Sequence, residues 1–345
     1  MVEKKVAACL LAGGFLVVAL SGGAAAGPLE DGTSAYQLKD YATAMRLLRP
    51  LADQGNADAQ FEVGNMYLKG WGVPQDYAQA AVWLRAAADQ GNAKAEINLG
   101  WMYESSHGVT QDYALAVTWY RKGADQGNAT AEENLALMYE FGRGVPQDDV
   151  QAVIWHRKAA DQGLADAEAN LGTMYASGSG VTQDYGLEVV WLRKAADQGH
   201  VLAQFNLGSC YEKGEGVAQD YTQAVSWYRK SAEQGLSFAQ DKLGAMYADG
   251  KGVPQDYAQA VTWYRKAADQ GFDEAQIHLG LMYADGKGVS QDYSLAHMWL
   301  NLAASGESDG AFREMAIKNR DLVAAKMTPA QIAEAQRMAR EWVPK

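Results

Sequence analysis

The sequence predicts an all-α fold, a right-handed α-solenoid built from helix-turn-helix repeats of 36 residues. Seven tryptophans recur at this interval without slippage, and seven tyrosines and seven Gln-Asp pairs keep the same interval. The tryptophans are Trp83, Trp119, Trp155, Trp191, Trp227, Trp263 and Trp299. A fixed period without insertions indicates one structural unit stacked on itself. Apolar residues recur at helical spacing and nowhere alternate with period two, so we expect helices and no strands.

The first 26 residues have the pattern of a secretory signal peptide. Lys4 and Lys5 precede the apolar residues 6–20, and an Ala-x-Ala site ends at Ala26. A membrane anchor is the alternative, but 15 apolar residues are short for a span that needs about 20. We expect cleavage after Ala26, a periplasmic or secreted location, and no membrane insertion of the mature chain.

Charge and cysteine content narrow the classes of partner. Removing residues 1–26 changes the formal net charge from −12 to −13, because this segment holds one acid and two lysines. An acidic chain repels nucleic acid and anionic membrane surfaces. Cleavage also removes Cys9 and leaves Cys210 alone, so no disulfide can form within the chain. Cys210 stands where the other repeats have methionine, and we expect a small buried residue there.

The period sets the domain boundaries. A leading half-repeat covers 27–55, with its second helix at 40–54, and Pro50 is expected to kink or shorten that helix. Helices that cap the C-terminal end cover 308–345, giving about eight helix pairs in all. Seven full repeats lie between these segments, at 56–91, 92–127, 128–163, 164–199, 200–235, 236–271 and 272–307.

Capping and turn residues place the two helices of the first full repeat. Asn56 is a suitable N-cap, and the first helix is expected to end near Lys69, before the flexible residue Gly70. Asp76 is a suitable N-cap for the second helix, and Gly91 supplies the left-handed residue that ends it. Small residues at fixed places let the two helices approach closely.

Two further packing features are predicted. We expect each recurrent tryptophan to lie at the side of its second helix, where the ring reaches the next repeat. At the C-terminal end, Thr328, Pro329 and Gln331 form a capping pattern. A helix running to about Trp342 is expected to cover the last repeat, with Ile332, Ala335, Met338 and Ala339 as its apolar stripe.

One known family shares this repeat. Residues 243–271 carry the pattern Leu243-Gly244, Met246-Tyr247, Gly250, Gly252-Val253, Gln255-Asp256-Tyr257, Ala260, Trp263-Tyr264-Arg265-Lys266-Ala267-Ala268 and Gln270-Gly271. This pattern resembles the Sel-one-like repeat (SLR) family, which is related to the tetratricopeptide repeats, and the resemblance extends over 56–307. It implies an adaptor or scaffold that holds other macromolecules. Exported bacterial members are associated with signalling, envelope assembly and host interaction.

The residues give little support to catalysis. The five histidines are scattered without zinc-ligand spacing, and we expect surface or shoulder positions for His156, His278 and His297. Ser-x-x-Lys and Lys-Thr-Gly are absent, which weighs against the β-lactamase activity described for cysteine-rich SLR proteins. We therefore expect no enzyme activity, no metal and no cofactor; a periplasmic hydrolase is the least favoured alternative.

A repeated Arg-Lys doublet defines a basic ridge. Its members are Arg121-Lys122, Arg157-Lys158, Arg193-Lys194, Arg229-Lys230 and Arg265-Lys266. Binding of an anion or polysaccharide is one interpretation. The favoured one is a solvated face in which each arginine pairs with the acid four residues later, as in Arg121 and Asp125.

Variation at fixed register predicts the binding face. The position of Asn65 holds a different kind of side chain in most repeats, as does the position of Phe61, and both are expected to lie opposite the packed face on the concave, first-helix side. The candidate partner-binding residues are Asn98, Trp101, Asn134, Leu137, Asn170, Asn206 and Trp71. The row of asparagines could hold an extended peptide, or could simply be common in this repeat. Trp71 and Trp101 have no counterparts in other repeats and are candidate anchors.

These observations predict a monomeric, non-catalytic, exported scaffold that binds a protein partner of unknown identity, such as an envelope enzyme, receptor or signalling protein, on the concave face of the solenoid. The alternative from another class is a glycan- or peptidoglycan-binding envelope protein, with Trp71 and Trp101 stacking on sugar rings. Nucleic acid is not expected as a partner.

Overall fold

The computed structural model describes residues 27–306 and 310–344, and this part of the chain is helical with no strand. The predicted signal peptide lies outside the described residues. The helices are α1 Pro28–Gln37, α2 Tyr41–Asp53, α3 Ala57–Lys69, α4 Tyr77–Ala88, α5 Ala93–Ser105, α6 Tyr113–Asp125, α7 Ala129–Glu140, α8 Asp149–Asp161, α9 Ala165–Ser177, α10 Tyr185–Asp197, α11 Val201–Lys213, α12 Tyr221–Glu233, α13 Ser237–Asp249, α14 Tyr257–Asp269, α15 Asp273–Asp285, α16 Tyr293–Ser305, α17 Gly310–Ala324 and α18 Pro329–Glu341. They form the predicted α-solenoid of paired helices.

The predicted capping residues are confirmed. The Asn56 side chain accepts a hydrogen bond from the Ala59 N–H at 2.9 Å, and Asp76 accepts one from the Gln79 N–H at 2.9 Å. An aspartate caps the second helix of every full repeat in the same way. Gly70 ends α3 in the left-handed region with a φ of 70°, which glycine adopts without steric strain. These local signals explain why the helix ends follow the sequence so closely.

The described chain consists of two compact units. The first contains residues 27–95 with 107–109, and the second contains 96–106 with 110–344. In the first unit, α2 follows the shorter helix α1 and runs through Pro50 to Asp53. The expectation that Pro50 shortens this helix was wrong, since three residues follow it.

Small residues bring the two helices of a repeat together. A Cβ atom added to Gly208 would lie 2.8 Å from the ring of Tyr228, and one added to Gly244 would lie 2.7 Å from Tyr264. In the fourth repeat the corresponding residues are Gly172 and Leu192. The facing side chain therefore occupies the volume that each glycine leaves open.

The recurrent tryptophans fill the junctions between repeats. Those of the second unit are at most 8% exposed. Trp191 belongs to a cluster with Val153 of the repeat before it and with Leu171 and Met174 of its own first helix. The ring thus reaches the preceding repeat, whereas the sequence had suggested the next one.

The C-terminal helices cover the last repeat. α16 packs against both α17 and α18. The predicted capping box at Thr328 and Gln331 is present, Ala335 and Ala339 are buried, and Trp342 meets Trp299 edge to face with ring centres 6.0 Å apart. Within 27–306 and 310–344, no helix is both long and apolar enough to cross a membrane.

Candidate functional site on the first helices

The first helices present one position that varies between repeats and is never fully buried. It holds Asn65, Trp101, Leu137, Thr173, Ser209, Ala245 and Leu281, all of them exposed or half-buried. Trp101 is the largest of these side chains and is 37% exposed. This position has the access that the sequence predicted for a binding surface.

The position of Phe61 is less accessible, although Phe61, Ile97 and Phe205 are half-buried there. Glu133, Ala169, Asp241 and Ile277 occupy it in later repeats, and each is at most 8% exposed. The prediction that this position lies on the outer side of the helix was wrong. Its side chains point into the junction with the next repeat, as their contacts show.

The asparagine row borders these buried residues. Asn98, Asn134, Asn170 and Asn206 are all half-buried. The amide of Asn170 donates to Glu133 Oε1 of the preceding repeat at 2.7 Å. His278, three repeats further on, has its Nδ1 atom 2.8 Å from Asp241 in the same register. At these two junctions, the row joins one repeat to the one before it.

Glu133 also contacts a buried histidine. His156 has no exposed side-chain surface; its Nδ1 lies 2.7 Å from Glu133 Oε2 and its Nε2 lies 3.2 Å from Glu140 Oε2. Burial alone would lower the pKa of His156, but the hydrogen bonds and charges of the two glutamates raise it to about 9. The ring is therefore an imidazolium at neutral pH, held between two carboxylates. The expectation of a surface or shoulder position was wrong for His156, and also for His297, which is 3% exposed.

Other repeats fill the same place with a neutral group. Tyr120 donates to Glu104 at 2.8 Å, and Tyr228 donates to Glu212 at 2.6 Å. Leucine occupies this position in three other repeats, at Leu84, Leu192 and Leu300. Burial raises the pKa of Tyr120, and the carboxylate beside it raises it further. Charge at this buried position is thus confined to the third full repeat.

The basic ridge is built into the packing. Each lysine of the five doublets has its Nζ atom 3.6 to 4.0 Å from the ring centre of the tryptophan three residues earlier. The arginine of each doublet donates to a tyrosine hydroxyl of the next repeat, as Arg229 does to Tyr247 at 2.6 Å. The expected arginine–acid pair four residues apart occurs at Arg49 and Asp53, at 3.1 Å. The arginines of the ridge, which were expected to lie on a solvated face, therefore link neighbouring repeats.

Other aromatic rings cover part of Trp71. The ring of Trp71 stacks on Tyr41 at 5.0 Å and also lies against Tyr36, so one of its faces is covered. Both Trp71 and Trp101 are 37% exposed. Trp71 therefore has less surface for a sugar ring than the glycan-binding alternative assumes. Leu137, in the register of Trp101 on the next first helix, is half-buried.

The described residues do not assemble a metal centre. No group of three or more histidine, cysteine, aspartate or glutamate side chains within 27–306 and 310–344 is arranged to hold a metal ion. Cys210 is buried as predicted, and its thiol lies 3.5 Å from Glu188 Oε1. Burial and the nearby carboxylate raise the pKa of this thiol to about 12, which keeps it protonated and unreactive.

Comparison with known proteins identifies the repeat. The family described as Sel1 repeat matches residues 26–56, 57–92, 93–128, 129–164, 165–200, 201–236, 237–272 and 273–308. The chain belongs to the Sel1 repeat family. The matched segments begin one residue after the boundaries read from the sequence, and they include an additional repeat where a leading half-repeat was expected. No curated protein matches the chain.

Solved structures of Sel1 repeat proteins agree. A Sel1 repeat protein from Oxalobacter formigenes is 35% identical over 84% of this chain and 86% of its own, with a TM-score of 0.66. A protein described as a protective antigen present in uropathogenic Escherichia coli strains displaying an SLR fold is 30% identical, with 91% of each chain covered and a TM-score of 0.55. Sel1 repeat proteins are generally protein-interaction scaffolds, and the family is typically non-catalytic.

Sequence reasoning missed Glu133, Glu140 and Asp149. The signal was present in the register. The third repeat has Asp149 where the other full repeats have tyrosine, His156 where they have tyrosine or leucine, and Glu133 where its two predecessors have phenylalanine and isoleucine. Several polar departures within one repeat indicate that they act together.

Proposed function

We propose that this Sel1 repeat protein is a non-catalytic scaffold that binds a protein partner along its first helices. One observation carries the proposal: the Asn65 position is accessible in every full repeat and changes chemically along the chain, while the packing positions around it repeat. Packing does not restrict a half-exposed side chain, so the variation leaves this surface free to match one partner. The scaffold role of the family supports the same assignment.

Trp101 is the proposed anchor of this surface. Large aromatic side chains dominate the binding energy of protein interfaces, because they bury much area with few rotatable bonds. Leu137 continues the apolar surface in the same register, and Asn98 and Asn134 flank the two side chains in sequence. A partner that covers Trp101 would gain an apolar contact bordered by hydrogen-bonding groups.

The proposal is tested by affinity capture with the mature protein on a support. Trp101→Ala is expected to weaken capture by about 2 kcal/mol or more, the range of interface hot spots. Helicity should stay unchanged, since Trp101 is not among the seven packing tryptophans. The matched control is Leu187→Ala, a side chain of similar exposure at 38% on a second helix. Loss of the partner with Leu187→Ala, and not with Trp101→Ala, would place the interface on the other face.

We also propose that the protein is exported, on the evidence of the basic, apolar and Ala-x-Ala pattern of residues 1–26. N-terminal sequencing of the mature protein should begin at or beside Gly27. Recovery of the protein from the cytoplasm with Met1 intact would contradict the proposal.

A further inference from the structure

A pocket lies between the third and fourth full repeats, beside a contact that a tyrosine ring makes in other repeats. The residue after each Gln-Asp pair is a tyrosine throughout the full repeats, except at Asp149. Where the ring contacts are resolved, this tyrosine lies against a loop residue 30 positions later. Examples are Tyr77 on His107 at 4.8 Å in the first unit and Tyr257 beneath Lys287 at 6.0 Å in the second. In the leading half-repeat, Tyr41 lies in the same way on Trp71 at 5.0 Å.

At the third repeat, both members of this contact are small. The pair is Asp149 and Ser179, and a pocket of about 250 Å³ opens beside them. The backbone here keeps the arrangement of the other repeats: a Cβ atom added to Gly180 would lie 2.2 Å from the Asp149 carbonyl oxygen, as one added to Gly216 would lie 2.0 Å from that of Tyr185. The loop has therefore not moved away. A pocket of about 210 Å³ also occurs in the same register of the last repeat, lined by His278 and Lys287, so the small side chains at Asp149 and Ser179 change mainly the lining of the pocket.

The walls of the pocket are rich in hydrogen-bond acceptors. They include the carboxylates of Glu140 and Asp149 and the hydroxyls of Thr173, Ser177 and Ser179. Asn170 also lines the pocket, and because its amide nitrogen donates to Glu133, its carbonyl oxygen is the end left to accept. The ring of Phe141, 57% exposed, stands at the rim.

The charge at the pocket is negative. No lysine or arginine lines it. The imidazolium of His156 lies behind the wall, between Glu133 and Glu140, and offsets one of the three carboxylates. The nearest described arginine in sequence, Arg143, lies 5.3 Å from the ring centre of Phe141 at the rim, and its charge is paired with Glu104 at 3.3 Å. A pocket with acceptors, excess negative charge and an aromatic rim fits a cation that carries several donors.

We propose that this pocket binds the ammonium group of a lysine side chain presented by the partner protein. A lysine ammonium has three donors and no acceptor, which matches a wall of carboxylate, hydroxyl and amide oxygens. Its apolar stem can cross the Phe141 rim while the charge enters the pocket. This inference rests on the proposed scaffold function, because it assigns the ammonium to a protein.

The test uses the purified mature protein and three defined probes, followed by amide chemical shifts at Thr173, Ser177 and Ser179. The probes are the peptide acetyl-Gly-Gly-Lys-Gly-Gly-amide, the same peptide with the lysine acetylated on Nε, and butylamine. The lysine peptide should shift these amides in a saturable way. Acetylation should weaken binding at least tenfold, and butylamine should bind at least threefold more weakly than the peptide, because it lacks the backbone. Equal binding of the acetylated peptide, or tighter binding of butylamine, would overturn the proposal.

Two variants of one residue separate charge from space. Asp149→Tyr restores the side chain of the other repeats, so it should fold, and the loss of the carboxylate together with the added ring should abolish the shifts. Asp149→Asn keeps the space, removes the charge and should weaken binding at least fivefold. Asp161→Tyr, the same change at the exposed end of α8, should leave binding intact. Unchanged binding in Asp149→Tyr would overturn the proposal. The peptides report on the pocket and the Trp101→Ala capture reports on the scaffold surface, so either proposal can fail without the other.

Discussion

The second and third full repeats place different chemistry at the same three positions. These positions hold Ile97, Glu104 and Tyr120 in the second repeat and Glu133, Glu140 and His156 in the third. In the second repeat a neutral hydroxyl donates to one half-buried carboxylate. In the third, an imidazolium lies between two carboxylates, and one of them has a side chain that is only 7% exposed.

The difference shows how a stacked repeat admits charge into its interior. A buried carboxylate is strongly unfavourable without a charged partner and further hydrogen bonds. Glu133 has both, from His156 on one oxygen and Asn170 on the other. The fifth repeat, with Phe205, Glu212 and Tyr228, has the same neutral arrangement as the second. The repeat therefore accommodates a charged group at this buried position when the residues that contact it change as well.

The largest effect is expected from removing the cation of the third repeat. His156→Leu leaves Glu133 buried without a charged partner and should destabilise the repeat by about 3–5 kcal/mol. Tyr228→Leu is the matched control, because leucine is native at this position in three repeats, and it should cost about 1–2 kcal/mol for the lost hydrogen bond and volume. Because stacked repeats open locally, hydrogen exchange of the amides in α7 and α9, and in α11 and α13 for the control, measures both. Equal losses would mean that the charge in the third repeat has no special role.

The next largest effect concerns pH. The folded pKa of His156, about 9, lies above its ordinary value of 6.5, so its stabilising contribution is fully present below pH 6.5 and is lost as the pH rises through 9. We expect the wild type to lose about 2–3 kcal/mol between pH 6.5 and 9.5 relative to His156→Tyr/Glu133→Ile. This double variant recreates the second repeat and has no imidazole there. Urea unfolding of both proteins at the two pH values gives the difference, and parallel pH profiles would contradict the assignment.

A second departure from the repeat pattern, at Glu188 and Cys210, should have the opposite effect: restoring the usual residues there should raise the stability of the protein. Glu188 stands where the other full repeats have alanine, and Cys210 stands where they have methionine. Glu188 is 8% exposed, and its Oε2 atom is buried without a hydrogen-bond partner. Replacing both, in Glu188→Ala/Cys210→Met, should therefore stabilise the protein by about 1–2 kcal/mol, because an unsatisfied buried group is removed and the consensus volume is restored. A loss of stability, measured by urea unfolding, would show that the pair has a favourable contact of its own.

The sequence predicted what local chemistry determines. The N-caps Asn56 and Asp76 and the left-handed Gly70 act within a few residues of themselves, so their roles follow from spacing alone. The period then specified the helix pairs and the buried tryptophans. Even the accessible register of Trp101 followed from helical geometry.

Contacts between repeats were harder to predict. Arg121 was expected to pair with Asp125, four residues later on the same helix. Its guanidinium instead donates to Tyr139, 18 residues away, because stacking places the first helix of the next repeat beside it. Glu133 contacts one residue 23 positions later and another 37 positions later. The separations correspond to the sister helix and the following repeat, which a search within one helix cannot reach. Comparing equivalent positions across repeats would have identified His156 as an exception, though not the partners that make it ionic.

The smallest effect tests whether the lysine–tryptophan contact of the basic ridge contributes equally in the third repeat, which has the buried charge, and in the fifth, which does not. Lys158 in the third repeat and Lys230 in the fifth place their Nζ atoms 3.7 and 3.6 Å from the ring centres of Trp155 and Trp227. Replacing each lysine with methionine keeps an apolar stem over the ring and removes the charge, so it isolates the cation–π attraction. Because these lysines are exposed, we expect a loss of only about 0.5–1 kcal/mol in each case. The two losses, measured by hydrogen exchange in the surrounding helices, should agree within about 0.5 kcal/mol, the error of additivity for independent sites.

The same comparison at His156 and Tyr228 should differ by several times that amount. If Lys158→Met instead destabilises the protein much more than Lys230→Met does, then the buried charge of the third repeat depends on the basic ridge, and the two features are not independent.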